Sequence, residues 1–445
     1  MTEKRMRSYL LLLSIVIVLP LTAQNSLLQS GPMLGYSEMR EVVLWVQTTE
    51  AAEVQFAYWT EDNKAALSLT DKITTTKADA FTAKLIADIV EPGTNYTYEL
   101  RLNGKAVTLP YPTQFQTQKL WQWRTDPPDF TVAVGSCSYI NEPKYDRPDN
   151  AYGGDYDIFN RIHERQPDAM LWLGDNTYLR EVDWNSRTGI MKRYTHTRSV
   201  KELQPLLAST HHYAIWDDHD YGPNDSDRSY IHKDKTLEAF RLFWGNPSVG
   251  LPDAHGGITT AFQWADMDFF LMDNRYFRTP NHMQNGQQIY FGEIQLEWLI
   301  DALVASNAPF KFVATGGQIL NTEPVYENYI RLAPEERSYL LSRIEEENIK
   351  GVIFLTGDRH HTELSSYVNA KGNAVYDLTA SPLTSGSGSN RDGEHNQFRD
   401  EGTLVVARNF GLLNFSGPYG ERQLQIQIFD KDGEPLWERT IPQAK

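Results

Sequence analysis

Two hydrophobic patterns follow one another along the chain. From about Ser26 to Gln118, short runs of alternating apolar and polar residues recur between Gly, Pro and Asn signals. They predict strands over 41–48, 52–59, 81–87 and 95–102, with Asn103-Gly104 as a hairpin turn. Strands at this spacing predict a small all-β, immunoglobulin-like sandwich. Residue types that carry chemistry are sparse within it. The stretch 119–129, with Pro127-Pro128, reads as a linker, so a second domain is expected over 130–445.

Beyond the linker, apolar runs alternate with amphipathic segments. The runs predict strands over 130–134, 169–173, 213–216, 267–272, 310–314 and 351–356. Helices are predicted over 155–164, around 199–207, and over 234–244, 293–305 and 334–347, the last with Pro334 in its first turn. The chain closes with β-like pieces at 374–379, 402–407 and 423–429, and 385–389 reads as a flexible loop. Alternation of this kind predicts an α/β domain built on a largely parallel sheet.

The apolar strands end alike. The run to Leu173 stops at Gly174 and delivers Asp175 to its tip, with Tyr178 three residues on. Other runs end in Cys137, in Asp217-Asp218-His219-Asp220, in Asp273-Asn274-Arg275 and in Asp358-Arg359-His360-His361. Ligands of open α/β sheets gather outside the carboxyl ends of strands. One Gly-Asp is an ordinary turn; its recurrence at strand tips points to a site. Carboxylates brought together repel and stay ionised only with cations among them. Oxygen ligands suit hard ions, whereas His, Tyr and Cys point to a transition metal in the same cluster. A carboxylate shared by two metals is how such sites obtain a nucleophile from water at neutral pH.

Each residue also has a plainer reading. Asp175 could cap a helix, 217–220 could be a solvated turn, and Asn224 could cap a turn at Pro223. Arg275 could pair with Asp273, His361 suits packing, and His395 suits a loop.

Charge narrows the function classes. The 445 residues hold 42 Lys and Arg against 58 Asp and Glu, a net charge of −16. That balance opposes nucleic-acid binding and suits a protein that holds cations. Cys137 is the only cysteine, so there is no internal disulfide; it is either a buried apolar group or a metal ligand. Lys4, Arg5 and Arg7 precede an apolar run from Tyr9 to Leu21, and Leu21-Thr22-Ala23 suits cleavage before Gln24. Residues 1–23 are therefore expected to be a signal peptide, with an uncleaved anchor as the alternative. No later stretch is long enough to span a bilayer. A secreted or periplasmic monomer is expected.

Six segments, in order, resemble the PhoD-like alkaline phosphatases of the calcineurin-like metallophosphoesterase superfamily. They are Gly135-Ser136-Cys137, Gly174-Asp175 with Tyr178, and Trp216-Asp217-Asp218-His219 with Asn224. Asp273 with Arg275, Gly357-Asp358 with His360, and the run from Ser381 to Gly386 complete the set. The resemblance implies an α/β sheet sandwich flanked by helices and preceded by a small all-β domain. It also implies a ferric ion, Fe(3+), at Cys137, Asp175, Tyr178 and His360. Calcium, Ca(2+), or another divalent metal is implied at Asp175, Asn224 and Asp358. His219, Arg275 and Asn224 would serve catalysis, the first two as phosphate or leaving-group contacts. The implied function is a secreted metal-dependent phosphoesterase acting on small or polymeric mono- or diesters. Two departures touch substrate range and metal choice: Asn176 stands where an aromatic is frequent, and Tyr221-Gly222-Pro223 interrupts the usual Asp-Asp-His to Asn spacing. A paired-carboxylate glycosidase would have no use for Cys137, Tyr178 and Asn224. A calcium-stabilised adhesin would have little need of Cys137 or His360.

Overall fold

Parallel strands buried on both faces form the centre of the molecule. In the computed structural model, which describes residues 27–60, 62–148, 151–388 and 393–444, three sheets are present. The largest has nine strands, and at its middle Phe130–Gly135, Ala169–Leu173 and His211–Ile215 run parallel. A second sheet of six strands carries Met267–Leu271, Lys311–Thr315, Val352–Thr356 and Ala374–Thr379, also parallel. Their near-continuous apolar sequences follow from being covered on both faces.

Strand alternation shows what covers them. Phe312, Ile353 and Leu355 belong to the core between the two sheets, with Val134, Leu171 and Phe415. Their neighbours Val313, Val352 and Phe354 turn the other way, onto Leu296, Leu299 and Ile300 of the helix Glu293–Ala305 and Leu340 and Ile344 of the helix Pro334–Glu346. Ring contacts bridge the sheets: Phe312 lies 5.5 Å from Phe415, and Tyr213 lies 3.7 Å from Phe262. The helix Asp157–Glu164 buries Phe159 against Trp172, which faces away from Leu171, and Phe240 of the helix Lys233–Phe243 packs at Trp244.

The N-terminal region is a sandwich, but one of its layers is not its own. Leu28–Ser37, Val42–Thr48 and Thr82–Ala87 extend the nine-stranded sheet, because Leu28–Ser37 pairs in parallel with His211–Ile215. The opposing layer is the third sheet, with Glu53–Thr60 and Asn95–Leu102 at its centre. Between the layers lie Leu34, Leu44, Val46, Phe56 and Tyr98. Strand pairing, and not the stretch 119–129 alone, joins this region to the rest.

Elsewhere the elements differ from expectation where burial is not apolar. Leu28–Ser37 was hidden by Gly31-Pro32 and Gly35, which break the alternation at register shifts. The helix Arg187–Arg198 buries Arg193, Tyr194, Thr197 and Arg198, so it shows no apolar stripe. Arg193 Nε donates to Asp183 inside at 2.7 Å, and Glu142 lies 3.2 Å from another of its nitrogens. Residues 402–407 form no strand; Val405 makes an isolated bridge to Thr362, and the strand is Asn409–Ser416. Among the described residues no helix is long and apolar enough to cross a membrane. The expected leader, 1–23, lies outside the described residues.

One buried carboxylate at the edge of the second sheet gives a pH prediction. Glu363 accepts from Gln318 at 2.8 Å and Asn396 at 2.9 Å, faces His361 at 3.6 Å and is bonded by Arg399. Burial alone would raise its carboxyl, but His361 and Arg399 outweigh that and hold it at about 2, below its ordinary 4.5. A depressed folded-state value stabilises the fold above the ordinary value and loses that contribution as pH falls towards 2. Urea midpoints at pH 5 and pH 3 should therefore drop further in the wild type than in Glu363→Gln, by on the order of 2 kcal/mol. Equal drops would show that Glu363 does not carry the acid sensitivity.

Candidate metal centre

The strand tips meet across the gap between two sheets, not along one edge. Cys137, Asp175 and Asp217 follow strands of the nine-stranded sheet, whereas Asp273 and Asp358 follow strands of the second. Glycine allows the approach. A Cβ on Gly174, whose φ is +92°, would lie 2.8 Å from the Asp217 Cβ; one on Gly357 would lie 2.6 Å from the Leu173 carbonyl. Cys137, Asp175, Asp358 and His360 themselves adopt φ of 59°, 53°, 62° and 53°. Left-handed backbone is uncommon for such residues and concentrates at functional sites.

Among the described residues three donor groups form, and the first holds three of the four residues expected for iron. Cys137, Asp175 and His360 each bring a donor atom within 4.8 Å of the others. Asp175, Asp218 and His219 do the same, and so do Asp218, Asp225 and Glu327. Asp175 is common to the first two groups and Asp218 to the last two. The Cys137 Sγ lies 3.7 Å from Asp175 Oδ2 and 3.2 Å from the Ser381 hydroxyl. Tyr178 Oη is 3.4 Å from His360 Nε2, while the other ring nitrogen, Nδ1, meets Tyr152 Oη at 3.1 Å. The Tyr178 ring packs against His219 at 4.3 Å, and the His219 backbone N–H points at Asp175 Oδ1 at 3.3 Å. The segment after Ser381 folds over this corner: the backbone N–H groups of Thr384 and Ser385 donate to the Cys137 carbonyl.

Asp175, Asp218, His219, Asn224, Asp358 and His360 line one open cavity of about 390 Å³. Asn224 is exposed there and donates to Asp225 at 2.7 Å.

Burial, then the charges of Asp218 and Asp217, push the Asp175 carboxyl well above its usual range. Burial and Asp217 do the same to Asp358. Burial and Asp175 raise both the Cys137 thiol and the Tyr178 phenol. Burial opposes ionisation of Asp218 too, but His219 and Arg275 overcome it and hold this carboxyl low. Asp218 Oδ1 and His219 Nδ1 are buried without a hydrogen-bond partner among the described residues. Sulfur, imidazole and phenol on one side and carboxylates on the other fit a transition metal beside a hard cation.

Arg275 sits apart from the expectation set for it. It is 1% exposed and does not line the cavity. Its guanidinium bonds Asp217, reaches Glu327 at 2.7 Å and donates to the Ser226 carbonyl at 3.3 Å. Asp273 does not pair with it; that carboxylate accepts the backbone N–H groups of Arg275 and Tyr276 and the Trp216 indole. Nor does Asp175 cap a helix. The helix Asp218–Tyr221 is capped by Asp217, with Asp220 returning a bond to the Asp217 backbone N–H at 3.0 Å. Asn176 ties Asp175's loop down, its side chain donating to the Ile215 carbonyl at 2.7 Å. His361 is buried against the Arg359 carbonyl and Glu363, and His395 is exposed outside the three groups.

Asp225, Glu327 and Tyr152 were not foreseen as site residues. Asp225 adjoins Asn224 and Asp218 adjoins His219, so both stood within reach of the motif. Glu327 and Tyr152 lie in loops with no apolar strand before them, and nothing in the local sequence marks them.

The chain is similar to known proteins. A family described as PhoD-like phosphatase matches residues 132–417, and a domain of unknown function matches residues 25–120. Alkaline phosphatase D of Bacillus subtilis (strain 168) is 22% identical over 331 residues, which cover 62% of this chain and 52% of that protein. The chain thus spans about half the length of this curated relative. A solved structure of PhoD superposes with a TM-score of 0.75 at 15% identity, covering 94% of this chain and 93% of that one. The purple acid phosphatase PPD1 of yellow lupin (Lupinus luteus) superposes with a TM-score of 0.64 at 11% identity, covering 92% and 74%. Both share the fold.

Proposed function

The chain belongs to the PhoD-like phosphatase family, and from that membership we propose that it is a metal-dependent hydrolase of phosphate mono- or diesters. The observation that supports this best is the place of Asp175, which the Cys137–His360 group and the Asp218–His219 group share. A carboxylate so placed can face two cations at once. Cys137, Asp175, Tyr178 and His360 would hold a ferric ion. Asp175, Asn224 and Asp358, with Asp218 beside them, would hold calcium or another divalent ion. Such a pair, when bound, supplies a nucleophile from water at neutral pH and neutralises charge on phosphoryl oxygens.

The chain's own groups do the positioning. His219 and Asn224 face the cavity and are the side chains best placed to hold phosphate. Tyr152, on Nδ1 of His360, leaves Nε2 directed at the Tyr178 side of the site and orients that ring. Arg275 bonds Asp217 and Glu327, holding the Glu327 carboxyl low and opposing the rise that burial imposes on Asp217. Export rests on the sequence of residues 1–23, and a monomer is part of the proposal.

The test is metal analysis of purified protein with assays on phosphate mono- and diesters, before and after chelation. Turnover lost on chelation and restored by iron with calcium supports the proposal. Thermal stabilisation by calcium with no turnover of any ester would favour the adhesin reading, and release of sugar from glycosides the glycosidase.

The ferric assignment makes its own prediction. Thiolate and phenolate donors to ferric iron give a visible absorption band, so loaded protein should be coloured and Tyr178→Phe should shift or bleach it. Cys137 is fully buried and its thiol is pushed up when no cation is present. Alkylation should therefore be slow in the loaded protein and also in the stripped, folded protein, rising by about 100-fold only on unfolding. A colourless, fully active enzyme would reject iron and leave the phosphoesterase reading standing.

A further inference from the structure

The cavity is lined by groups of both signs. Asp175, Asp218 and Glu327 are buried carboxylates in its lining, Asp358 is a half-buried one and Asp225 an exposed one. His282, Tyr326 and Arg331, all exposed, line it as well. Two guanidinium groups line the cavity, and they differ. That of Arg359 is tied to Gln318 and Glu394, both at 2.5 Å, and lies 4.9 Å from the Tyr326 ring. That of Arg331 has no ion pair or hydrogen bond among the described residues. Its position is nevertheless set. Arg331 lies in the short helix Tyr329–Leu332, whose cap Asn328 accepts the Arg331 backbone N–H at 3.3 Å. Tyr329 anchors that helix, fully buried with its ring 4.6 Å from Tyr290.

We propose that Arg331, with His282 beside the same opening, forms a leaving-group subsite for a second anionic group. The favoured esters then carry a phosphate or carboxylate besides the phosphoryl group that is cleaved. This rests on the phosphoesterase reading above.

Charge decides between a subsite and an idle surface arginine. A chain of net charge −16, with Asp225 and Glu327 at this opening, repels a doubly anionic ester everywhere except at an unpaired cation. Arg275, Arg278 and Arg359 cannot serve, because each is already engaged by a carboxylate: Glu327 holds the first two and Glu394 the third. Arg331 has no internal bond to break before it meets an anion, and its planar fork matches two oxygens of a phosphate or carboxylate.

The test compares propane-1,3-diol monophosphate with propane-1,3-diol bisphosphate, which differ only in the second phosphate. Metal-loaded wild type, Arg331→Ala and Arg331→Lys are assayed for phosphate release. The bisphosphate should have the lower KM in the wild type by about tenfold, with kcat similar for the two. Arg331→Ala should raise the bisphosphate KM about tenfold and erase the preference, and Arg331→Lys should retain part of it, since a point charge lacks the fork. Titration of the matching mono- and bisphosphonates, which are not hydrolysed, gives the same comparison without turnover. A wild type that hydrolyses neither these esters nor any phosphodiester overturns the phosphoesterase reading, whereas a phosphonate preference lost in Arg331→Ala still supports the subsite. Equal preference for the bisphosphate in wild type and Arg331→Ala, with both esters turned over, overturns the subsite and leaves the phosphoesterase reading intact.

Discussion

Asp175→Asn should lower kcat by about three orders of magnitude or more on every phosphoester the wild type hydrolyses, while the protein stays folded. The reason is its place in two donor groups at once. An amide has one neutral oxygen and a nitrogen that cannot face a second cation. The stability effect should reverse sign with metal. In stripped protein Asp175 lies among Asp218, Asp217, Asp220 and Asp358, and burial with those charges already pushes its carboxyl up. Removing the charge relieves repulsion, so stripped Asp175→Asn should melt at or above the stripped wild type. In loaded protein the variant should lose most of the stabilisation that saturating metal confers, since that gain follows the affinity. Melting curves with and without iron and calcium check this. A variant of near wild-type rate that gains the full increment from metal would return Asp175 to a structural role.

Arg275→Met should cost about 3–5 kcal/mol of stability, the range for breaking a buried ion pair by removing one partner. The guanidinium is 1% exposed and meets Asp217, Glu327 and, at 3.8 Å, Asp218. Methionine fills much of the volume, so the loss is charge and hydrogen bonding, not a cavity. Asp217 then loses its cation and Glu327 keeps only Arg278, so the Asp217 carboxyl, already raised by burial, rises further and that of Glu327 rises from its lowered value. A raised carboxyl destabilises the fold at neutral and high pH and ceases to do so once pH falls below the unfolded value. The penalty should therefore be largest near pH 8 and shrink below about pH 4. Adding Asp217→Asn should recover part of it, which urea titrations across pH can measure. Unaltered stability with a raised KM for phosphoesters would place Arg275 on the substrate instead.

Much of the centre could be read from local sequence because a parallel strand with a residue of chemistry at its tip is a local pattern. Five apolar runs followed by Cys137, Asp175, Asp217-Asp218-His219, Asp273 and Asp358-Arg359-His360 are covalently continuous with the elements that carry them. Strand burial sets the direction of each tip. Where packing is apolar and periodic, as in Ala169–Leu173 and Glu293–Ala305, observed bounds coincide with those expected from the pattern.

Tertiary structure decided what no local pattern encodes. That Leu28–Ser37 extends the central sheet follows from pairing with His211–Ile215, far along the chain. Arg275 reads as a partner for Asp273 two residues away, yet its guanidinium is taken by Asp217 and Glu327 from two other elements, because only they reach a fully buried cation. Glu327, Tyr152 and Arg331 reach the cavity from loops and a short helix whose sequences carry no period. Contacts of that kind depend on where distant segments close in space, and the free energy that selects them is the satisfaction of buried charge, a property of the assembled surroundings and not of any one stretch of chain.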